Sequence, residues 1–454
     1  MEKLLVIGGN GAGLAAAARA KRIRPHMDVL VIEQSRYISY SICGAPYLIS
    51  GMVPRVEDLV GFSPESLWRE RGIQAIVGVR AIEIMPSMRR VTTLDTRTQA
   101  RATLGFDKLI IATGYASNRS SIPGASAKNV FSLAQHEDTI RLQSALASGA
   151  YRQAVIIGAG YVGLEMAEAL ATRGLSVLVI EKEPTLLGGI DADISELIEA
   201  ELGKHGVQVL KGAAARAIQA GKDGVAEAVV YGPTDTVAKA DMVMLDIGVR
   251  PNVELAAACG VTLGRTGGIA VNDHLETNYA GIYAAGNCAE AKHLVSGKAV
   301  IDALGTVAAK QGRVAGENAA GWKTRFAGVV GTCVVKVFDL AVARVGLTSR
   351  EAQSHGFKSI AAKITDKTIS HYYPGGAPIT IKIVVDTDSR RLLGAQMVGG
   401  SDVAKRTDVI ATILTNHMRI DEAAQLDLSY TPPFAPLWDP ILVAMHAGLR
   451  ALEK

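Results

Sequence analysis

Cys43 lies in Ser39-Tyr40-Ser41-Ile42-Cys43-Gly44-Ala45-Pro46-Tyr47, and no second thiol follows it closely: position 48 is Leu48 and the next cysteine is Cys259. A thiol without a neighbour closes no internal disulfide. It can instead hold a mixed disulfide, a persulfide or a sulfenic acid, all of them stages of two-electron sulfur chemistry. Cys43 reads as the start of a helix that runs through Tyr47, a position that favours the thiolate, the reactive form. Cys259, Cys288 and Cys333 stand in apolar or turn-like segments and read as structural.

Two other stretches carry the residue types that hold a dinucleotide. Residues 4–7 are apolar, Gly8-Gly9-Asn10-Gly11-Ala12-Gly13 follows, then an Ala-rich helical run, then Asp28-Val29-Leu30-Val31-Ile32-Glu33. Residues 154–157, Gly158-Ala159-Gly160-Tyr161-Val162-Gly163, a helical run and Ser176-Val177-Leu178-Val179-Ile180-Glu181 repeat the design. Glycines allow a tight turn and a close approach of phosphate, and the helix behind them offers free N–H groups to a pyrophosphate. The carboxylate closing each second strand, Glu33 or Glu181, is expected to accept ribose hydroxyls. Glu181 should also repel a 2′-phosphate, which predicts NADH over NADPH, although the adjacent Lys182 leaves NADPH possible. Asn10 stands where the first motif usually has its middle glycine, and Asn tolerates unusual backbone angles.

The elements that must position these groups follow from the pattern. Phe106-Asp107-Lys108-Leu109-Ile110-Ile111-Ala112-Thr113-Gly114 reads as a buried strand ending in a small-residue turn. Residues 240–252, ending Gly248-Val249-Arg250-Pro251-Asn252, repeat that layout, and Gly281-Ile282-Tyr283-Ala284-Ala285-Gly286-Asn287 gives a third strand-to-turn. From about residue 326, strands such as 334–337 and 379–385 alternate with helices near 402–416 and 438–450, which predicts a separate α+β domain. The chain is long enough, at 454 residues, for two or three domains. Its net charge of +4 points to neither nucleic acid nor a membrane surface. No apolar run reaches the roughly 18 residues of a spanning helix, and the N-terminus opens on a strand pattern rather than a charged leader. Unpaired cysteines suit a reducing compartment, so the cytoplasm is the expected location.

Taken together, these motifs resemble the FAD-dependent pyridine nucleotide-disulfide oxidoreductase family over nearly the whole chain. The resemblance implies an α/β fold with two Rossmann-like dinucleotide-binding domains and a C-terminal α+β dimerisation domain. FAD would occupy residues 1–115 and 243–322, NADH or NADPH an inserted 116–242, and residues 326–454 would make a homodimer. The lone Cys43 and the stretch 304–318 are similar to the single-cysteine branch of coenzyme A-disulfide reductases, persulfide or polysulfide reductases, and NADH oxidases and peroxidases. The oxidases and peroxidases place a His in the first glycine loop, where this chain has Gly11. The segment after Cys43, Ser429-Tyr430-Thr431-Pro432-Pro433-Phe434-Ala435-Pro436 and His371-Tyr372-Tyr373-Pro374-Gly375 are similar to the reductases, whose tyrosines face the neighbouring subunit's thiol substrate.

The resemblance therefore implies reduction of a coenzyme A disulfide or a small persulfide or polysulfide, the alternative being an NADH oxidase or peroxidase working through a Cys43 sulfenic acid. Cys43, Tyr430 and Tyr372, the last in preference to Tyr373, are the implied catalytic residues. Gly8, Asn10, Gly11, Ala12, Gly13, Glu33, Ser41, Ala112, Thr113, Gly114, Gly286, Asn287, Leu304, Gly305 and Thr306 are assigned to FAD. Gly158, Gly160, Tyr161, Val162, Gly163, Glu165, Glu181 and Gly248 are assigned to the nicotinamide cofactor, with Tyr161 as a gate over the flavin. Asn287 stands where the family usually has Asp. Arg19, Arg22 and Ser39 are implied on the substrate side, with the arginines meeting phosphates. No metal is implied.

Overall fold

The computed structural model describes residues 1–119 and 122–453. Its organising element is Lys3–Ile7, four of whose five residues are buried. It pairs in parallel with Asp28–Glu33 on one side and Lys108–Ile111 on the other, and Gln74–Val77 and Ile282–Ala284 complete a five-stranded parallel sheet. Apolar runs such as Leu4-Leu5-Val6-Ile7 belong in such a sheet because helices cover both faces. A second parallel sheet is ordered Gln208–Leu210, Ser176–Ile180, Gln153–Ile157, Met242–Leu245, Val130–Phe131. Both glycine loops thus leave the carboxyl edge of a central strand, flanked by a strand ending in Glu and by one ending at Ala112 or Asp246.

The second unit is an insertion, and its ends meet. Tyr115–Ser117 pairs antiparallel with Val249–Pro251 where the chain leaves and returns. The expected boundary between residues 242 and 243 requires correction. Met242–Leu245 is a single strand of the second sheet, so the return to the first fold comes after Leu245. Two three-stranded antiparallel flaps, Val79–Met85 with Arg90–Asp95 and Arg101–Gly105, and Ala215–Ala220 with Ala226–Tyr231 and Thr236–Lys239, complete the nucleotide folds.

The C-terminal unit is α+β, as expected. Five antiparallel strands run in the order Cys333–Val337, Leu340–Gly346, Leu392–Gly399, Pro378–Asp386, Ser359–Lys367. Helices Asp402–Thr415 and Pro440–Leu452 cover one face, with Ile410, Ile413 and Met445 against Ile379, Ile381 and Ile383. Val335, Val337, Val342 and Val398 join the core of the second nucleotide fold instead. Every residue of Leu392–Gly399 is buried, as a strand covered on both faces requires. Among the described residues no helix is long and apolar enough to cross a membrane.

The first glycine-loop helix, Gly11–Ile23, packs along Gly305–Ala319. A Cβ on Gly312 would overlap the carbonyl of Ala12, and one on Gly316 that of Ala16. The two backbones are therefore closer than any side chain between them allows. Gly316→Val is expected to cost about 1–3 kcal/mol through overpacking. Thermal unfolding of the purified protein, with flavin absorbance as the measure of retained cofactor, checks it; an unchanged Tm would show that the helices slide apart freely.

Candidate active site

The first glycine loop is shaped by contact with its own sheet. Gly8 has φ +111°, and a Cβ there would overlap the carbonyl oxygen of Ala112. Asn10, in contrast, has φ −114°, an extended angle open to any residue, so backbone tolerance is not why Asn stands there. Its side chain serves as a tether instead. The Oδ1 atom accepts the Tyr40 N–H at 2.9 Å, tying the loop to the segment that carries Cys43. Glu33 accepts the Gly9 N–H at 2.7 Å and the Ser35 N–H at 2.8 Å. Glu181 does the same for Ala159, at 2.7 Å, and Glu183, at 2.8 Å. Both carboxylates are thus clamped to the backbone, and a ribose would meet only their remaining lone pairs.

Among the residues expected around FAD, two offer what a ligand could meet. Gly114 has φ +69° with open space at its Cβ position, and Asn287 Oδ1 is buried without a hydrogen-bond partner among the described residues. A buried orphan acceptor costs free energy unless something donates to it, and a flavin side-chain hydroxyl is such a donor, so the site fits FAD. The Thr113 hydroxyl is already committed, donating to the Asn252 carbonyl at 2.6 Å. Gln311, which the motifs do not mark, accepts the Gly286 N–H at 2.8 Å and donates to the Glu290 carbonyl at 3.1 Å, fixing the turn that presents Asn287. A fully buried Gln inside a helix was the available signal. Gly305 and Thr306 are exposed at the start of the Gly305–Ala319 helix, behind Leu304. A Cβ on Gly11 would meet nothing closer than 3.8 Å, so space does not demand glycine there.

Cys43 sits in a single 3-10 turn, Ile42–Gly44, ahead of the six-residue helix Ala45–Ser50. That helix is anchored in the second nucleotide fold: Ala45 and Ile49 share a core with Leu164 and Ala167, and the Ile49 carbonyl accepts from Arg173 at 2.9 Å. Cys43 is exposed, yet protein crowded around its sulfur, and then the Glu165 carboxylate, push its thiol up from the ordinary value. The expected preference for the thiolate rested on the helix start together with a neighbouring flavin, and the helix start by itself does not lower this thiol. Six residues make a weak dipole, and Glu165 opposes it. Glu165 is itself pushed up to about 7, by burial and then by Glu168 and Asp246.

Tyr161 lies half-buried at the start of the second glycine-loop helix, Tyr161–Thr172, with its hydroxyl beside the Cys333 sulfur. Burial raises both groups, Cys333 to about 11. Gly158, at φ +101°, and Gly163 wrap Asp246, a residue that the sequence motifs leave unassigned. Val162 is half-buried against the second fold's core, and Gly248 takes φ +92° at the returning strand.

The tyrosines stand apart from this cluster. Tyr372 is 64% exposed, Tyr373 42% and Tyr430 46%. Tyr430 has Tyr372 and Ser370 as neighbours, and the nearby Tyr372 hydroxyl raises its pKa. Tyr372, not Tyr373, is thus the neighbour of Tyr430. None of the groups that perturb Cys43 belongs to the C-terminal unit. On the expected substrate side, Arg19 needs correcting: its Nε donates to the buried Glu317 at 2.6 Å, and its guanidinium lies over the Trp322 ring. Glu317 also accepts from Arg313 at 3.2 Å, so Arg19 is tied into an ion-pair cluster rather than free, whereas Arg22 is exposed. Ser39 adopts φ +56°, and its backbone joins Gly9 and Gly61. Ser41 is exposed, its N–H donating to the Leu59 carbonyl at 2.9 Å.

Residues 2–312 match the pyridine nucleotide-disulphide oxidoreductase family, and residues 332–440 match its dimerisation domain. The chain belongs to this family. It is accordingly an oxidoreductase that uses FAD and NAD(P)H. An NAD(P)H sulfur oxidoreductase (CoA-dependent) of Pyrococcus abyssi is 37% identical over 442 residues, covering 97% of this chain and 96% of the relative. An NADH oxidase of Methanocaldococcus jannaschii is 32% identical over 453 residues, covering both chains fully. The solved structure of an NAD-dependent persulfide reductase from A. fulgidus superposes with a TM-score of 0.96 at 34% identity, covering 99% of this chain and 83% of that one.

The Glu165 carboxylate disfavours a second negative charge at Cys43. In Glu165→Gln the pH midpoint of Cys43 alkylation by iodoacetamide is therefore expected to move down. The difference from the parent protein should fade below about pH 7, where Glu165 carries its own proton. A midpoint that stays in place or rises would remove Glu165 from the thiol's electrostatics.

Proposed function

We propose that this flavoprotein reduces a coenzyme A disulfide or a small-thiol persulfide or polysulfide with NAD(P)H, through Cys43. The observation that carries the reading is the division of chemistry between two surfaces. One exposed thiol lacks a partner cysteine, and the neighbouring hydroxyls of Tyr372 and Tyr430 stand exposed on the dimerisation domain. In a homodimer, which the dimerisation-domain match supports, the tyrosines of one protomer would meet Cys43 of its partner. The names of the Pyrococcus abyssi and A. fulgidus relatives favour the same chemistry.

The overall change is NAD(P)H + H⁺ + RSSR′ → NAD(P)⁺ + RSH + R′SH. When bound, FAD supplies the relay that takes an electron pair from NAD(P)H and delivers it to sulfur. The protein's own residues do the rest. The Cys43 thiolate attacks one sulfur of the substrate, forming a mixed disulfide and expelling a thiolate. Tyr430 protonates or holds that leaving sulfur, kept in place by Tyr372. Glu165, poised near neutrality, can take up or return a proton close to Cys43. Asn287 and the glycine loop at 8–13 hold FAD, while Tyr161 and Glu181 lie on the nicotinamide side. Arg22 is the cation available to a coenzyme A phosphate.

A second reading is supported by the NADH oxidase relative: oxygen or peroxide reduction through a Cys43 sulfenic acid. Gly11 weighs against it, because that loop has room for a proton-donating side chain and none is present.

Cys43→Ser is expected to abolish NADH-dependent reduction of coenzyme A disulfide and coenzyme A persulfide while retaining bound FAD. Tyr430→Phe is expected to lower kcat by about 10²-fold, the low end for a lost proton donor. Mixed dimers carrying Cys43→Ser on one chain and Tyr430→Phe on the other should regain one competent site. Full turnover in Cys43→Ser, or fast water-forming oxygen uptake by the parent enzyme, would overturn the proposal.

A further inference from the structure

The two glycine loops share one register but face different side chains from the neighbouring strand. Ile7 pairs with Ile111, and Ile157 with Leu245, so Ala112 and Asp246 are structural counterparts at the ends of equivalent strands. In the first fold the counterpart is a methyl group, and no side chain caps the helix Gly11–Ile23. In the second fold the Asp246 carboxylate reaches across the loop. Its Oδ2 accepts the Gly163 N–H at 2.7 Å, and a Cβ on Gly160 would lie 2.6 Å from the same oxygen.

Gly163 is the third residue of the helix Tyr161–Thr172, so its N–H is among those left free by helix geometry. Those groups form the feature that attracts a dinucleotide phosphate. Here they are already answered by an anion of the chain itself. The groups facing Asp246 add no positive charge. They are the carboxylate of Glu181 at the end of its strand, Glu165 on the glycine-loop helix and the Tyr115 hydroxyl on the linking strand. Burial, and then Glu181, raise the Asp246 carboxyl to about 6 against the pull of the Gly163 and Gly160 N–H groups.

We propose that Asp246 makes nicotinamide nucleotide binding proton-linked: it takes up one proton from solvent as the pyrophosphate settles on the loop. The protonated carboxyl keeps its carbonyl oxygen on the Gly163 N–H and turns its O–H toward a phosphate oxygen. Ionised, it opposes the incoming phosphate with a like charge at the same helix start. The inference rests on the family's use of NAD(P)H and not on which sulfur acceptor is reduced.

The test is titration of the oxidised, FAD-loaded enzyme with NAD⁺, which binds without turnover. Calorimetry at pH 7.5 in two buffers of different ionisation enthalpy reads the protons taken up, and Kd is measured at pH 6, 7 and 8. The parent enzyme is expected to take up a large fraction of one proton. Its Kd should weaken toward about tenfold per pH unit above the Asp246 pKa, the limit for one linked proton. Asp246→Asn mimics the protonated form, so its proton uptake should vanish and its Kd at pH 8 should tighten to the low-pH value. Asp246→Ser removes the charge by another route and decides the matter if the amide variant folds badly; flavin absorbance reports folding for both. A lowered Tm with Kd and proton uptake unchanged would make Asp246 a structural cap only and overturn the proposal. So would uptake that survives in Asp246→Asn and disappears in Glu165→Gln, or a parent enzyme whose Kd does not vary with pH.

Discussion

The cofactor crevice depends on backbone meeting backbone with no side chain between. Gly8 lies against the Ala112 carbonyl, Gly13 against the Gly8 carbonyl, and Gly312 and Gly316 against the carbonyls of Ala12 and Ala16. Each contact is made where an added Cβ would overlap an oxygen. Together they bring a strand end, a loop and two helices to a single crevice. The turn that presents Asn287 is itself fixed by Gln311, which accepts the Gly286 N–H. The second fold repeats the contact at Gly158 and the Asp246 carbonyl, which is why the two nucleotide sites share one geometry.

Around the thiol, electrostatics runs against the simplest reading of a reactive cysteine. Glu165 acts on Cys43 and is followed outward by Glu168 and Asp246, with Glu181 behind Asp246, and burial raises Glu165 and Asp246 toward neutrality. A cluster of carboxyls with few cations keeps protons in reserve rather than stabilising anions. Such an environment suits a reaction that releases thiolates and must hand each one a proton. On the proposed reading, activation of Cys43 falls to a bound flavin and to the substrate.

Much of this was legible in the chain because short-range rules dominate it. Glycine spacing, apolar strands and terminal carboxylates each depend on a few neighbouring residues, so the two nucleotide folds and the C-terminal unit could be placed from motifs. What escaped depends on contacts far apart in sequence. Asn10 was assigned a backbone role, whereas its amide reaches Tyr40. Arg19 looked like a free cation because Glu317 lies 298 positions away. Asp246 sat inside a strand-to-turn motif and gave no sign that its carboxylate crosses to Gly163. The antiparallel flaps, built from short strands of mixed polarity, carry no period strong enough to stand out.

The neck between Tyr115–Ser117 and Val249–Pro251 is extended by hydrogen bonds from Asn118 to the Gly248 carbonyl and from Asn252 to the Gly114 carbonyl, both 3.0 Å. The inserted unit is thus entered and left through adjacent strands, as a plug is joined to its socket. Its interior can diverge without disturbing the first sheet, so long as the two strand ends keep their pairing. A lineage could exchange or retune the electron donor while the flavin scaffold stayed constant. For protein engineering, a graft made at this neck must also keep the face that receives Ala45, Ile49, Val335 and Val337.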